Sequence, residues 1–188
     1  MPLKLHTIIC STRPGRIGPH VAQWFHGAAQ AHGQFDAELI DLADFNLPVY
    51  DEPLHPRLQK YEHAHTRAWS ESVNAADACV FVTPEYNFSA PPALVNALDF
   101  VYKEWNYKPA AFVSYGGVSG GLRSVQMAKQ IVTALKMMPM TEGVSIPNVA
   151  THLDENKTFK PSDLVTASVK PMLDELHRWA EALKPMRG

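Results

Sequence analysis

Residues 83–89, TPEYNFS, are the stretch that indicates the fold most directly. They follow a buried-strand pattern, ACVFV at residues 78–82, and precede two prolines that favour the start of a helix at Pro92. Pro84 fixes its own φ and drives the preceding residue into an extended conformation, so the chain leaves the strand stiffly. In open α/β sheets, ligands bind at the carboxyl ends of strands. We therefore expect this turn to present three backbone N–H groups to a planar polar ligand, those of Glu85, Tyr86 and Asn87.

Outward from this turn, strand patterns alternate with helix patterns along the whole chain. The strands are predicted at residues 3–10, 35–42, 78–83, 110–114 and, interrupted by proline and glycine, within 138–146. The helices are predicted at residues 18–32, 59–76, 92–105 and 122–136, with a last one that ends near residue 183. Pro171 either kinks that last helix or lies in its first turn. Such alternation implies a parallel sheet with helices on both faces, and 188 residues suit a single domain, residues 1–188.

The bulk composition argues against several classes of partner. The chain has 17 basic and 19 acidic side chains, a net charge of −2, which indicates neither nucleic acid nor an anionic membrane surface. No apolar run approaches the roughly 18 residues of a membrane span, and the first residues enter a strand pattern without the features of a signal peptide. Cys10 and Cys79 both fall in strand patterns, as reduced core thiols do. We expect a cytoplasmic protein.

The loop at residues 11–18, STRPGRIG, connects the first strand to the first helix. Its two glycines allow close approach of the backbone, and the helix start offers unpaired N–H groups at the positive end of the helix dipole. Arg13 and Arg16 add positive charge, and Ser11 adds a hydroxyl. The loop therefore suits a terminal phosphate; the alternative is a tight strand–helix turn with solvated arginines. Neither the P-loop pattern nor a Gly-x-Gly-x-x-Gly after the first strand is present, so nucleotide hydrolysis and Rossmann-type dinucleotide binding are not supported.

A second glycine-rich turn, SYGG at residues 114–117, follows the fourth predicted strand. Glycines there let the backbone approach a flat ring. Taken alone, the pattern is equally typical of an ordinary βα turn. Two such turns at neighbouring strand ends, however, favour a ligand site.

These three segments, in this order, resemble the NADPH-dependent FMN reductase family. The pattern TPEYNxSxPxxLxNALD at residues 83–99 matches the family signature, and the resemblance covers roughly residues 3–150. It implies a flavodoxin-like three-layer α/β/α sandwich with a five-stranded parallel sheet. By the same resemblance the FMN phosphate lies at Ser11, Arg13, Arg16, Ile17 and Gly18, and the isoalloxazine lies at Pro84, Glu85, Tyr86, Asn87, Tyr115, Gly116 and Gly117. The family often has a small polar residue where Arg16 stands, which leaves open whether Arg16 faces the phosphate or NADPH.

The resemblance also implies a function. The cofactor would be FMN, with NADPH or NADH as the source of hydride and a quinone, azo compound, metal oxyanion or free flavin as the small-molecule acceptor, in ping-pong order. The cofactor carries the chemistry, so no side chain is assigned a catalytic role. The alternative is a flavodoxin-type electron carrier without turnover, although such carriers tend to be strongly acidic.

A further alternative uses the first loop differently. Cys10 and Arg16 have the Cys-x5-Arg spacing of low-molecular-weight tyrosine phosphatases, in which a thiolate attacks phosphorus. Against this interpretation, Ile17 stands where those enzymes have Ser or Thr, and the chain has no Asp-Pro pair to supply the usual general acid. It also leaves the other two turns without a role.

The helix predicted at residues 92–105 is apolar around most of its circumference, so it must be buried on more than one side. We expect the sheet on one side and a second subunit on the other, in a homodimer or homotetramer; the family resemblance implies a dimer as well. The alternative cover is the long segment at residues 43–60. Asp99 interrupts the apolar pattern and either pairs across the interface or lies on an exposed turn.

The spacing of His63 and His65 invites comparison with a metal site. Residues two apart on a helix do not share a face, and no Cys/His cluster has zinc spacing. We therefore expect no metal and a solvated helix surface there.

Overall fold

The computed structural model describes residues 2–187 and has one parallel sheet at its centre. Its strands are β1 (Leu3–Ile9), β2 (Phe35–Asp41), β3 (Ala78–Pro84), β4 (Pro109–Tyr115), β5 (Met138–Pro139) and β6 (Val144–Ile146). They lie in the order β2-β1-β3-β4, and β5 and β6 both pair with the outer edge of β4. The helices are α1 (Gly18–His32), α2 (Ala64–Ala75), α3 (Pro92–Phe100), α4 (Leu122–Ala134) and α5 (Asp163–Leu183).

Two apolar cores cover the two faces of the sheet. On one face α1 and α5 pack through side chains such as Phe25 and Leu176, and on the other α2, α3 and α4 pack through side chains such as Trp69, Leu94 and Val132. The strand order and the helices on both faces are those of a flavodoxin-like three-layer sandwich. The predicted fold is confirmed, and the interruption predicted in the fifth strand separates β5 from β6.

Helix α2 begins at Ala64, later than the predicted start at residue 59. The reason is Glu52, whose buried carboxylate accepts hydrogen bonds from the backbone N–H groups of Glu62 (2.8 Å) and His63 (3.1 Å). These bonds hold the chain extended up to His63, at φ −98° and ψ 143°, so the helix begins only at the next residue.

Helix α3 ends at Phe100, earlier than the predicted end at residue 105. Val101 is extended, at φ −135° and ψ 157°, and the chain continues through a short 3-10 turn, Lys103–Trp105. Trp105 is fully buried in the core beside Trp69, so the apolar stripe predicted for one long helix is divided between a helix and a turn.

The last helix begins at Asp163, where the Ser162 hydroxyl accepts a hydrogen bond from the N–H of Val165 (3.3 Å). Pro171 therefore lies inside α5 and not in its first turn. Within residues 2–187, no helix is both long enough and apolar enough to cross a bilayer.

Candidate functional site

Three corners of the chain meet at the carboxyl edge of the sheet, because β1, β3 and β4 are neighbours. We call residues 11–18 the first corner, residues 84–89 the second and residues 116–121 the third. The chain turns from β1 to β2 on one side and returns to β3 on the other, so the strand order reverses between β1 and β3. Ligands of doubly wound folds bind at this switch point. The predicted adjacency of the three turns is confirmed by the strand pairing.

The first corner exposes a row of backbone donors. Within the described chain, no acceptor is bonded to the backbone N–H groups of residues 11–18, and Ile17, the N-cap of α1, contributes no side-chain cap. The first turn of α1 has no acidic side chain. Free N–H groups and the positive helix end together favour an anion here. We call this row of donors the cradle.

The floor of the cradle is closely packed around Gly18. A Cβ added to Gly18 would lie 2.3 Å from the Ser11 hydroxyl oxygen and 2.8 Å from that of Tyr115. The Tyr115 hydroxyl is within hydrogen-bond distance of Ser11 Oγ, at 3.2 Å, and both side chains are buried. Tyr115, which was predicted to lie beside the isoalloxazine ring, thus also packs against the floor of the cradle.

The two arginines of the first corner differ in their surroundings. Arg16 donates through both terminal nitrogens to the carboxylate of Asp41, at 2.6 Å each, and Nη1 also donates to the Ser11 carbonyl. Hydrogen bonding to Asp41 raises the pKa of Arg16, so its charge is permanent but paired. Arg13 is exposed, and among the described residues its guanidinium reaches only the Pro14 carbonyl, at 3.4 Å. Arg13 is therefore the arginine whose charge is available, and Arg16 braces the loop against the end of β2.

In the second corner, two of the three backbone N–H groups that were predicted to face a ligand are bonded within the protein instead. The Glu85 N–H donates to the Tyr115 carbonyl (3.2 Å), and the Tyr86 N–H donates to the Ser89 carbonyl (3.0 Å). The prediction was wrong for these two groups. The Glu85 N–H continues the pairing of β3 with β4, and the Tyr86 N–H closes the turn to Ser89, with Asn87 and Phe88 in the left-handed region at φ 49° and 66°. Of the three predicted donors, only the N–H of Asn87 has no acceptor within the described chain.

The Glu85 side chain joins the second corner to the third. Its carboxylate accepts hydrogen bonds from Arg123 Nε (2.7 Å), the Arg123 backbone N–H (3.1 Å) and the Ser119 hydroxyl (2.9 Å). Burial raises the pKa of this carboxyl, but the bonds from Arg123 and Ser119 outweigh burial and lower it, so Glu85 is ionised. The Arg123 guanidinium also lies 3.8 Å from the ring centroid of Phe88, which is 71% exposed. Sequence reasoning missed Ser119 and Arg123, because nothing local connects them to Glu85.

The third corner presents an open glycine edge. Gly116 donates to the Ile146 carbonyl (3.3 Å), whereas the Gly117 N–H has no acceptor within the described chain. No heavy atom lies within 4 Å of a Cβ built on Gly117, so this side is open. A flat ring can therefore approach the backbone of Gly117, with the N–H of Asn87 at the neighbouring corner.

Comparison with known proteins agrees with this geometry. The family model described as NADPH-dependent FMN reductase matches residues 3–151, which include all three corners. The chain belongs to this family. An NAD(P)H-dependent FMN reductase of Schizosaccharomyces pombe is 40% identical over 148 residues, which are 77% of this chain and 74% of the relative. A quinone reductase of Escherichia coli K12 is 32% identical over 145 residues, 74% of each chain.

A solved structure supports the fold of this FMN reductase family member. The flavoenzyme NAD(P)H:(acceptor) oxidoreductase FerB from Paracoccus denitrificans superposes with a TM-score of 0.75 at 20% identity, covering 96% of this chain and 98% of that one. The predicted family and the predicted FMN-dependent oxidoreductase activity are thus confirmed.

The phosphatase alternative for the first corner does not fit this family member. Cys10 is fully buried, and its Sγ donates to the Ile8 carbonyl at 3.3 Å. Burial raises the pKa of Cys10 well above its ordinary value, with the Asp41 charge acting in the same direction, so a thiolate nucleophile is disfavoured. The arginine that would hold the phosphate is already paired with Asp41.

The predicted arrangement of His63 and His65 was wrong, because His63 precedes α2 instead of lying within it. The two imidazoles stack with ring centroids 5.2 Å apart, and both approach Asp51, with His65 Nε2 3.0 Å from its carboxylate. Among residues 2–187 no group of three or more His, Cys, Asp or Glu side chains is arranged to hold a metal ion.

Proposed function

We propose that the three corners bind one FMN and that the protein uses it to pass electrons from NAD(P)H to a small-molecule acceptor. The observation that carries this proposal is the cradle of unpaired N–H groups, which lies at the switch point of the sheet beside the open glycine edge of the third corner. The packing around Gly18 supports it, since only a residue without a Cβ lets the start of α1 lie this close to the Ser11 and Tyr115 hydroxyls.

Each side of the site has a separate role in this proposal. The cradle and Arg13 hold the phosphate, because backbone donors and a free guanidinium suit an oxyanion. Arg16 holds the loop in shape through Asp41. The backbones of Asn87 and Gly117 lie against the ring, and Pro84, Tyr86 and Gly116 shape its surroundings.

When bound, FMN supplies the ability to accept a hydride and to donate it again. The protein positions the ring, supplies N–H donors to its polar edge and leaves one face accessible to the reductant and then to the acceptor. The relative from Escherichia coli is named a quinone reductase, which supports a quinone as the acceptor. We infer that both substrates use one open face in turn, which gives ping-pong kinetics.

We also propose that the protein is a homodimer, or a homotetramer built from dimers, located in the cytoplasm. Loop residues 43–60 cover one flank of α3, where Asn96 bonds the Tyr50 N–H (2.9 Å) and the Pro48 carbonyl (2.6 Å), so the alternative cover accounts for that flank. A groove of about 720 Å³ remains beside α3, with the exposed Asp99 in its lining. The exposed Val49 in the lining of this groove supports contact with a second subunit, and the two buried, unpaired thiols support a reducing compartment.

Two measurements on one preparation test the function. Titration of the cofactor-free protein with FMN, followed by quenching of flavin fluorescence, is expected to saturate at one FMN per chain. The FMN-loaded protein is then expected to oxidise NADPH steadily with a benzoquinone, with parallel double-reciprocal plots. Binding of FMN without steady NAD(P)H oxidation would support the electron carrier, and absence of FMN binding would refute the site itself.

A further inference from the structure

A second cleft runs along residues 12–17 of the first corner, where a loop that precedes the C-terminal helix approaches them; we call it the outer cleft. This outer cleft has a volume of about 460 Å³, and its lining combines residues of the first corner with Pro19, His20, Leu153 and Lys157. No motif after residue 148 predicts a site. The structure nevertheless brings Lys157 beside the first corner, although the two are far apart along the chain.

The position of Lys157 is set by packing and by a hydrogen-bonded turn. Phe159 packs against Trp24 of α1, with ring centroids 5.1 Å apart, which anchors the loop beside the first corner. The Asp154 carboxylate accepts the N–H groups of Asn156 and Thr158, both at 2.9 Å, and Lys157 is left-handed at φ 60°. The lysine therefore lies on an ordered turn.

The outer cleft is cationic and lacks a compensating acid. Arg13, His20 and Lys157 line it, and among the described lining residues none is Asp or Glu. The Lys157 ammonium and the His20 ring have no hydrogen-bond or ion-pair partner within residues 2–187, whereas Arg16 is neutralised by Asp41. The outer cleft also has apolar walls, which are formed by Pro14, Ile17, Pro19 and Leu153. Side-chain cations beside apolar walls, in a cleft larger than a single phosphate, suit a phosphorylated nucleoside.

We propose that the outer cleft binds the 2′-phosphorylated adenosine end of NADPH, with Lys157 and His20 at the 2′-phosphate, and that it makes the enzyme prefer NADPH over NADH. The inference rests on the proposed function, which places the FMN phosphate on the cradle and Arg13 and leaves Lys157 and His20 for a second anion. NADH has a hydroxyl at the 2′ position, so it gains no ion pair with Lys157.

The test compares Lys157→Gln with Lys60→Gln, a matched loss of charge at an exposed lysine that does not line the outer cleft. Calorimetric titration of FMN-loaded protein with 2′,5′-ADP is expected to give about tenfold weaker binding for Lys157→Gln, the loss of one charge-assisted contact, and a change below about twofold for Lys60→Gln. The affinity for 5′-AMP is expected to be equal in all three proteins. In turnover, the KM for NADPH is expected to rise about tenfold in Lys157→Gln, and that for NADH is expected to stay within about twofold.

Three outcomes would overturn the inference while the proposed function stands: unchanged 2′,5′-ADP affinity in Lys157→Gln, release of FMN on addition of 2′,5′-ADP, or a weaker FMN affinity in Lys157→Gln. The last two would place Lys157 or the nucleotide at the cradle itself. A protein that binds no FMN would refute the proposed function, and this inference with it.

Discussion

Substitution of Gly18 by Ala tests the cradle most directly. The new Cβ would lie 2.3 Å from Ser11 Oγ, 2.8 Å from Tyr115 Oη and 3.2 Å from the Ile9 side chain. Ser11 is 1% exposed and Tyr115 is 4% exposed, so neither side chain can move into solvent to relieve the contact. Overpacking of a buried site costs about 1–3 kcal/mol of the free energy of unfolding. For a chain of this length that corresponds to a fall of about 2–12 °C in Tm, at about 2–4 °C per kcal/mol.

The same substitution is expected to weaken FMN binding, because Ser11 and the start of α1 must move apart. Loss of one hydrogen bond to a charged group costs about 1.5–3 kcal/mol, or about 10- to 100-fold in Kd. The assays are thermal denaturation of the cofactor-free protein and FMN fluorescence titration.

Gly27→Ala provides the control, since it lies in the same helix and no atom lies within 4 Å of its added Cβ. It is expected to raise the stability by about 0.5–1 kcal/mol and leave the FMN affinity unchanged. The double substitution Ser11→Ala/Gly18→Ala removes the shortest contact and is expected to recover part of the lost stability. If Gly18→Ala alone melts like the wild type and binds FMN equally well, the packing argument for the cradle fails.

Two further substitutions address residues that brace the site and the fold. Asp41→Asn leaves the charge of Arg16 unpaired at a site where both side chains are about four-fifths buried. We therefore expect a loss of about 1–3 kcal/mol in the free energy of unfolding, and a larger loss of affinity for FMN than for riboflavin. Equal losses for the two ligands in fluorescence titration would contradict a role of Asp41 in the cradle. Glu52→Gln is expected to lower the Tm near pH 7 but to match the wild type under acid conditions. Burial raises the pKa of Glu52, but the nearby Thr66 side chain and the hydrogen bonds from the Glu62 and His63 N–H groups lower it overall from the ordinary value of 4.5. The stabilisation by Glu52 is therefore complete above that value and is lost as the pH falls through the lower folded-state pKa. A Tm difference that persists unchanged at about pH 3 would contradict this account.

The local features of the fold could be predicted from the sequence. The predicted bounds of α1 are the observed ones, because Pro19 favours a helix start and Gly33 ends the helix at φ 78°. The order of the three corners also followed from the sequence, since consecutive strand–turn–helix units of a parallel sheet place their turns at one edge.

The side-chain partnerships within the site could not be predicted in this way. Arg16 pairs with a carboxylate 25 positions away, and Glu85 bonds a residue 38 positions away, so neither pairing has a local signal. The Glu85 N–H bonds the Tyr115 carbonyl because of the register between β3 and β4, and a pattern of apolar residues does not determine that register. Helix α2 starts late for a similar reason, because the residues before it are bonded to the side chain of Glu52, 10 positions earlier in the chain.

The central position of β1 has a consequence for folding during synthesis. This strand pairs with β2 on one side and with β3 on the other, so it acquires its second neighbour only after the chain has been synthesised through Pro84. Until then a ribosome-bound chain leaves the backbone N–H and C=O groups along one edge of this largely apolar strand unpaired, and chaperones that bind extended apolar segments are expected to hold the nascent protein over that interval. Ribosome-stalled chains that end shortly before and shortly after β3 emerges from the exit tunnel should therefore differ sharply in protease resistance.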